Sequence, residues 1–368
     1  MRRSSVELPD GVDINDYLAS GGKIEDSNDV GKYVISGIDI WNTPYKPVEW
    51  AVKDMIPMRK KTVAVGDFES GKSYLYLGAA LSLAAGKKEY LGFEIPRQRN
   101  VLYIDLENGQ DETISRIIKL TEGHNIDKDV CGKALSLLTK PGDFSDIFSM
   151  IETQVIIKNP DVIIIDNLYQ LSGANNIADA DKIKPLLAKI EGLRSETGAG
   201  VVLIHHFNKN TQEQGLTEER MAGSSTINWW YEFCTILGKT NQGFSLYTVG
   251  KSRMGSKNPG IYGIEINDKS NGGVAVERSG LVAAEHVKGL MLPERRKTKW
   301  DLQLQRMADE FTTNEWLNVC GDRDVESVTD ATAYRWLKEI VAVGMAEKLF
   351  HGNYRKTELK FYKEDSQE

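Results

Sequence analysis

The sequence predicts an α/β protein with a mostly parallel sheet, followed by a small C-terminal domain of helices and strands. Between about Arg59 and Ile266, short β-rich apolar runs alternate with longer amphipathic stretches. The apolar runs are continuous and bounded by polar residues, which is typical of parallel strands buried on both faces. Strands that alternate with helices in this way indicate a doubly wound sheet covered by helices.

Four apolar runs supply the predicted parallel strands: KKTVAVG, NVLYIDLE, DVIIIDN and GVVLIHH. Helices are predicted between them in SYLYLGAALSLAAG, DETISRIIKL, FSDIFSMIETQVI and ADKIKPLLAKIEGLRSE. Three further runs follow with short turns: EFCTILGK, FSLYTVGK and IYGIEI. We expect them to extend the same sheet as hairpins.

Three segments are predicted along the chain. Residues 1–50 show little periodicity and are interpreted as an extended arm or linker, with an independent domain as the alternative. Residues 51–290 hold the α/β domain. After the basic break PERRKTK, residues 294–368 contain two or three helices and then two strands around a basic turn. This order resembles a winged helix-turn-helix.

The C-terminal segment carries the residues expected to contact DNA or a partner protein. Its predicted wing holds Tyr354, Arg355 and Lys356. The predicted recognition helix holds Arg335 beside Trp336, for which a place in the core is the favoured interpretation.

Composition excludes several classes of protein. Hydrophobic residues make up 40% and charged residues 27% of the 368 positions, as in soluble globular proteins. The sequence contains no run of about 18 apolar residues, so no membrane span is predicted. Its basic start lacks the apolar stretch of a secretory signal. The three scattered cysteines form no metal or disulfide pattern, which favours a reducing cytoplasm. The net charge of −7 implies that any contact with nucleic acid is local.

A phosphate-binding loop is the most specific motif. The run GDFESGKS fits G-x-x-x-x-G-K-[ST], with a predicted strand before it and a helix after it. Its backbone N–H groups and the helix N-terminus suit phosphate oxygens, Lys72 can reach the β- and γ-phosphates, and Ser73 can bind Mg²⁺. ATP and Mg²⁺ are the predicted cofactors. The predicted binding residues are Gly66, Asp67, Phe68, Glu69, Ser70, Gly71, Lys72, Ser73 and Tyr74.

Two carboxylates are expected beside this loop. Asp166 ends the DVIIIDN strand, so it is the predicted partner of Mg²⁺ at the carboxyl edge of the sheet, with a helix-capping role as the alternative. Strand alternation places Asp105 and Glu107 on one face, with Glu107 nearest the edge. Glu107 is therefore the predicted base that orients the attacking water, or else a solvated strand end.

Three cationic or titratable residues complete the predicted site. His206, the second of a histidine pair that ends a strand, is predicted to contact the γ-phosphate or the water, or else to be an ordinary core or surface histidine. The polar stretch that follows, 208–226, is either a channel loop that moves with nucleotide state or a plain surface loop. Lys251 and Arg253 point the same way from an extended segment, so they are predicted to reach a nucleotide on a neighbouring subunit, or else to be solvated.

Together these segments resemble the RecA-type hexameric helicases, most closely the plasmid RepA-type replicative helicases and more distantly the bacterial helicase DnaB. The resemblance covers about residues 59–266 and rests on GDFESGKS, IDLEN, IIIDN, VLIHH, GSST and KSRMG. It implies a RecA-like core, a homo-oligomeric ring such as a hexamer, ATP hydrolysis at subunit interfaces, and translocation on single-stranded DNA. The run LPDGVDINDYLASGG looks like the segment after primase domains in primase–helicase fusions, so a primase or a replication initiator is an expected partner.

Two functions remain open from the sequence. The first is an ATP-driven DNA helicase or translocase of a plasmid, phage or mobile element. The second is an ATP-dependent assembly factor or regulator of a mobile element, in which the C-terminal domain selects duplex DNA. A KaiC-like signalling ATPase is a third, weaker interpretation.

Overall fold

A computed structural model describes residues 35, 37–44, 46–140, 146–173, 177–209, 211–254, 258–291, 300–322, 328–342 and 345–357. The chain divides into two compact units, Met1–Pro47 and Val48–Glu368. The described part of the first unit contains helix α1 (Gly37–Asn42). The LPDGVDINDYLASGG segment and the PERRKTK break lie outside the described residues.

The strands of the second unit follow in chain order: β1 (Trp50–Val52), β2 (Ile56–Pro57), β3 (Lys61–Gly66), β4 (Glu89–Tyr90), β5 (Phe93–Glu94), β6 (Val101–Asp105), β7 (Leu135–Thr139), β8 (Val162–Asp166), β9 (Gly200–His206), β10 (Phe233–Lys239), β11 (Ser245–Ser252), β12 (Ile261–Asp268), β13 (Val274–Leu281), β14 (Glu310–Thr312), β15 (Ala346–Phe350) and β16 (Asn353–Lys356).

Its helices are α2 (Lys72–Ala84), α3 (Gln110–Gly123), α4 (Lys128–Ala134), α5 (Ile147–Lys158), α6 (Leu168–Leu171), α7 (Ala180–Thr197), α8 (Ser225–Trp230), α9 (Ala284–Met291), α10 (Asp301–Arg306), α11 (Thr313–Gly321) and α12 (Asp330–Ala342).

A nine-stranded sheet organises the α/β region, with strand order β13-β12-β11-β10-β3-β9-β8-β6-β7. The six strands from β10 to β7 are parallel, and β11, β12 and β13 add to β10 as an antiparallel meander. The strand before the phosphate loop, β3, lies between β10 and β9. The strand that ends in Asp166, β8, lies between β9 and β6, so the carboxyl ends of these strands meet at one edge.

This topology is an α/β fold with a mostly parallel sheet, as the sequence predicted. The four apolar runs form β3, β6, β8 and β9, and the three later runs form the β10–β12 meander. Two strands of this nine-stranded sheet were not predicted. Edge strand β7 is only partly buried, so it lacks the continuous apolar run of the inner strands. Strand β13 has the sequence VAVERSGL, in which charged residues and a glycine interrupt the apolar pattern that would predict a strand.

Helices cover both faces of the sheet because the inner strands are buried on both sides. Within β3, Ala64 belongs to the cluster packed by α2 and α4, whereas Val63 and Val65 belong to the cluster packed by α5 and α7. Alternating side chains of one strand therefore supply two cores. This packing of helices on both faces of β3 fixes the position of the loop between β3 and α2.

The C-terminal residues form their own small core. Three helices, α10 to α12, pack on a three-stranded antiparallel sheet of order β14-β16-β15. Trp316 is fully buried, and its indole N–H donates to the Ala333 carbonyl at 2.8 Å. Trp336 is also buried, in agreement with the interpretation favoured from the sequence, while Arg335 is exposed.

The basic residues expected in the wing are already paired within this domain. Arg355 forms ion pairs with Glu310 at 2.7 Å and with Glu347 at 3.2 Å. Lys356 donates its ammonium to the Met307 carbonyl, and Tyr354 stacks on a neighbouring phenylalanine ring. These three side chains are thus engaged within the domain, and their contact with DNA stays a prediction.

The close approach of β3 to β10 gives a test of the fold. A Cβ atom added at Gly66 would lie 2.2 Å from the Leu237 carbonyl oxygen, which belongs to the backbone and cannot rotate away. Gly66→Ala should therefore lower stability by about 1–3 kcal/mol, in the range of overpacked cores. Gly192→Ala is the matched control, since its Cβ meets nothing within 4 Å inside α7, and it should raise stability by about 0.5–1 kcal/mol. Denaturant midpoints measure both, and equal midpoints for the two variants would contradict the packing.

Candidate nucleotide-binding site

The loop between β3 and α2 is shaped for an anion. Glu69 and Gly71 both have positive φ angles, 56° and 82°, which turn the backbone tightly before the helix begins. Gly71 is the N-cap of α2 and provides no side-chain cap, so the first N–H groups of the helix stay open toward the cavity. The geometry fits phosphate oxygens at a helix N-terminus.

Lys72 is buried beneath this loop. Its ammonium donates to the carbonyl oxygen of Asp67 at 2.6 Å and to that of Gly66 at 3.3 Å. Burial lowers the pKa of Lys72 to about 8, and the nearby carboxylates of Asp166, Asp67 and Glu107 offset part of that effect. A bound polyphosphate would supply the counter-charge that these carboxylates provide only in part.

Asp166 lies at the end of β8 and is almost completely buried. Burial raises the pKa of its carboxyl to about 6, although the hydroxyls of Ser73 and Tyr103 offset part of the increase. Oδ2 accepts a hydrogen bond from Tyr103 at 2.9 Å, whereas Oδ1 has no partner of hydrogen-bonding geometry among the described residues. A buried carboxylate oxygen without a donor, next to the Ser73 hydroxyl, fits a hydrated Mg²⁺ ion.

Glu107 contacts two residues from neighbouring strand ends. The Asn167 side-chain amide donates to Glu107 Oε2, and the same Nδ2 atom lies 3.1 Å from His206 Nε2. Asn167 Oδ1 accepts the Gln170 backbone N–H at 3.0 Å, which fixes the orientation of the amide. Nδ2 can only donate, so His206 accepts at Nε2 and carries its proton on Nδ1.

His206 is neutral in this arrangement. Burial, together with the positive charge of Lys72 and the adjacent His205, lowers its pKa to about 3. Its 4.0 Å approach to Glu107 is therefore not an ion pair at neutral pH. Asn167, rather than charge attraction, holds the carboxylate and the imidazole together.

The position of Glu107 differs from the one expected. Strand β6 ends at Asp105, and Glu107 lies in the bend that follows, so the two do not share a strand face. Asp105 is buried and accepts hydrogen bonds from the backbone N–H groups of Glu107 at 3.0 Å and Asn108 at 2.9 Å, and from Thr113 at 2.8 Å. It shapes the turn that carries Glu107, a role that strand alternation could not reveal.

A cavity of about 350 Å³ lies between the phosphate loop, Glu107 and His206. Its lining includes three residues that the sequence did not single out: Asn108, Arg116 and Ile266. Arg116 lies 5.5 Å from the Tyr74 ring, on the helix that follows Glu107. The remaining lining residues are Phe68, Glu69, Ser70, Gly71, Lys72, Ser73, Tyr74, Glu107 and His206.

Five predicted site residues do not line the cavity: Gly66, Asp67, Asp166, Lys251 and Arg253. The Asp67 carboxylate turns into the protein and pairs with Arg220. Lys251 donates to the Asn228 carbonyl at 2.7 Å, and Arg253 donates to the Trp229 carbonyl at 3.3 Å. Both cations thus reach the carboxyl end of α8 of their own chain, and Arg253 follows β11 instead of lying on it. A role across a subunit boundary stays a prediction.

Residues 37–212 match the family model described as an AAA domain. This stretch contains the phosphate loop, Glu107, Asp166 and His206. This part of the chain is an ATPase domain that carries a P-loop. No described helix has the length and apolar character needed to cross a bilayer.

Two solved structures are similar in fold. A KaiC-like protein from the hyperthermophilic archaeon Pyrococcus horikoshii OT3 is 13% identical, with a TM-score of 0.43, over 63% of this chain and 99% of its own. A RadB recombinase is 16% identical, with a TM-score of 0.43, over 60% of this chain and 91% of its own. No curated protein matches the sequence. The similarity is too low to carry a functional argument, so the site is interpreted from its own geometry.

The depressed pKa of Lys72 predicts how nucleotide affinity depends on pH. Bound phosphates favour the protonated amine, so affinity should be constant below about pH 8 and fall as pH rises through the pKa of the free protein, by up to about tenfold per unit. Fluorescence titration with ADP at several pH values measures this. Lys72→Arg should abolish the fall because guanidinium stays protonated, and a wild-type affinity that is flat across the alkaline range would contradict the prediction.

Proposed function

We propose that this ATPase is a ring-forming DNA helicase or translocase of a replication system. The observation that supports it is the contact of Glu107, Asn167 and His206. It joins the candidate catalytic carboxylate to the end of β9, the strand from which the 208–226 segment leaves. An ATPase that performs work needs such a connection between hydrolysis and a segment outside the nucleotide site.

Each residue has a role in the proposed hydrolysis. The amides of α2 and Lys72 bind the phosphates, and Ser73 and Asp166 hold Mg²⁺, which offsets negative charge on the phosphates. Glu107 accepts a proton from water as the water oxygen bonds to the γ-phosphorus and the bond to the β–γ bridging oxygen breaks, releasing ADP. Asn167 orients the carboxylate, and neutral His206 contacts the same amide.

DNA is the proposed partner, and a homo-hexameric ring is the proposed assembly. Because the chain carries a net charge of −7, the contact with single-stranded DNA would be confined to the channel of the ring. A primase or a replication initiator remains the proposed protein partner, and the C-terminal residues 300–357 are the proposed docking or duplex-binding region.

One observation favours the alternative, an ATP-dependent assembly factor or regulator without unwinding activity. The wing cations Arg355 and Lys356 are engaged inside the C-terminal domain, which leaves Arg335 and Lys338 on the exposed face of α12. Such a small basic surface suits docking of a protein as well as it suits DNA. Measuring strand displacement separates the two functions.

Strand displacement on a forked duplex with ATP tests the proposal directly. Wild-type protein should displace the strand, and single-stranded DNA should stimulate its ATPase. Glu107→Gln should still bind ATP but lose hydrolysis and displacement by about 100-fold or more, since the amide cannot act as a base. The control Glu89→Gln lies on β4, outside the cavity lining, and should behave as wild type.

The two outcomes of that experiment are separable. ATPase activity without displacement would favour the assembly factor. Near-normal hydrolysis by Glu107→Gln would remove Glu107 from the mechanism whichever function holds.

Lys251 and Arg253 are proposed to complete the nucleotide site of a neighbouring subunit. Arg253→Ala should bind ATP almost normally and lose most hydrolysis, because a cation that stabilises the transition state is absent. Mixing it with Lys72→Ala subunits should restore activity, since some mixed interfaces pair a sound P-loop with a sound arginine. A co-assembled mixture no more active than its components would show that Arg253 does not act in trans.

A further inference from the structure

The chain that leaves β9 folds back onto the end of that strand. The Asn208 N–H donates to the Arg220 carbonyl at 2.7 Å, and the Ala222 N–H donates to the His206 carbonyl at 3.0 Å. The His205 ring lies 2.7 Å from the Ala222 carbonyl. Residues 208–209 and 211–222, which we name the return loop, therefore have both ends fixed beside His206.

Arg220 lies at the base of the return loop and is fully buried. Its guanidinium donates to the Asp67 carboxylate, to the Gly215 carbonyl at 2.9 Å and to the Thr211 hydroxyl at 3.1 Å. It also lies 4.1 Å from the Phe207 ring. Within the return loop, the Arg220 side chain thus contacts Thr211 and Gly215, which flank the short helical turn Gln212–Gln214.

Asp67 connects Arg220 with the phosphate loop. One carboxylate oxygen accepts from Arg220, and the other accepts the Lys239 backbone N–H at 3.0 Å. The carbonyl oxygen of the same residue accepts the Lys72 ammonium at 2.6 Å. A single residue thus touches the phosphate-binding lysine through its backbone and the return loop through its side chain.

The free-energy cost of burying the Asp67–Arg220 ion pair argues that the pair does more than anchor the return loop. A buried ion pair commonly stabilises a protein no better than apolar residues of the same volume would, because both ions lose their hydration. The chain nevertheless places a fully desolvated arginine against the second residue of its phosphate loop. Phosphates that attract the Lys72 ammonium would draw it from the Asp67 carbonyl, and the backbone that carries the Asp67 carboxylate would respond.

We infer that Arg220 is a positioning residue that couples occupancy of the nucleotide site to the conformation of the return loop. The Asp67–Arg220 pair transmits the coupling, in parallel with the contact between Asn167 and His206. The inference requires nucleotide binding at the phosphate loop and does not depend on DNA unwinding. Linkage makes the coupling reciprocal, so a ligand that holds the return loop would also change nucleotide affinity.

Amide hydrogen exchange of the return loop, with and without a slowly hydrolysed ATP analogue, tests the inference on the full chain. In wild-type protein the analogue should change amide exchange in the return loop by about tenfold, within the usual range of coupling between sites. Arg220→Gln should still bind the analogue, yet its return loop should no longer respond. A merely structural arginine would raise exchange throughout the loop and leave the response to nucleotide intact.

Two further variants make the outcome decisive. Asp67→Asn is isosteric and keeps the acceptor for the Lys239 N–H, so it removes the charge of the pair even if Arg220→Gln fails to fold, and it should also abolish the response. Lys239→Gln is the control, because it breaks the exposed 2.9 Å ion pair with Glu69 on the same loop and should leave the response at wild-type size. A return loop that responds fully in Asp67→Asn, or that never responds in wild-type protein with bound nucleotide, would overturn the inference.

Discussion

Lys72, Asp166 and His206 lie where adjacent parallel strands end, and burial shifts the pKa of each away from its ordinary value. The amine and the imidazole lose basicity and the carboxyl gains it, so each group is closer to neutral than it would be in water. Removing charges from water is costly, and the protein compensates only in part. A nucleotide with its metal ion would supply the missing charges, which is why this edge of the sheet is suited to binding them.

Two connections lead from this edge to the chain beyond β9. Asn167 joins Glu107 to His206, and Arg220 joins Asp67 to the return loop. They begin at different parts of the nucleotide site, one at the carboxylate expected to activate water and one at the phosphate loop. The return loop is therefore in contact with both the binding and the hydrolysis elements, an arrangement that suits an ATPase whose cycle moves a surface segment.

The C-terminal domain is stabilised by different interactions. Its tryptophans lie in the core, and Arg355 of its last strand pairs with two carboxylates of the same three-stranded sheet. Exposed ion pairs of this kind contribute little stability individually, but they offset part of the positive charge on this strand. The exposed face of α12 carries Arg335 and Lys338.

The sequence by itself determined the fold class and the place of the phosphate loop, because both signals are local. Apolar runs buried on both faces reveal the inner strands, and the loop motif is contiguous between one strand and one helix. Edge strand β7 and the polar strand β13 were not predicted, because neither keeps a continuous apolar pattern. Only the tertiary structure decided how the site is connected. Asn167 meets Glu107 across 60 positions, and Arg220 meets Asp67 across 153. Such contacts depend on which strands become neighbours in the sheet, and hydrophobic periodicity carries no information about that order.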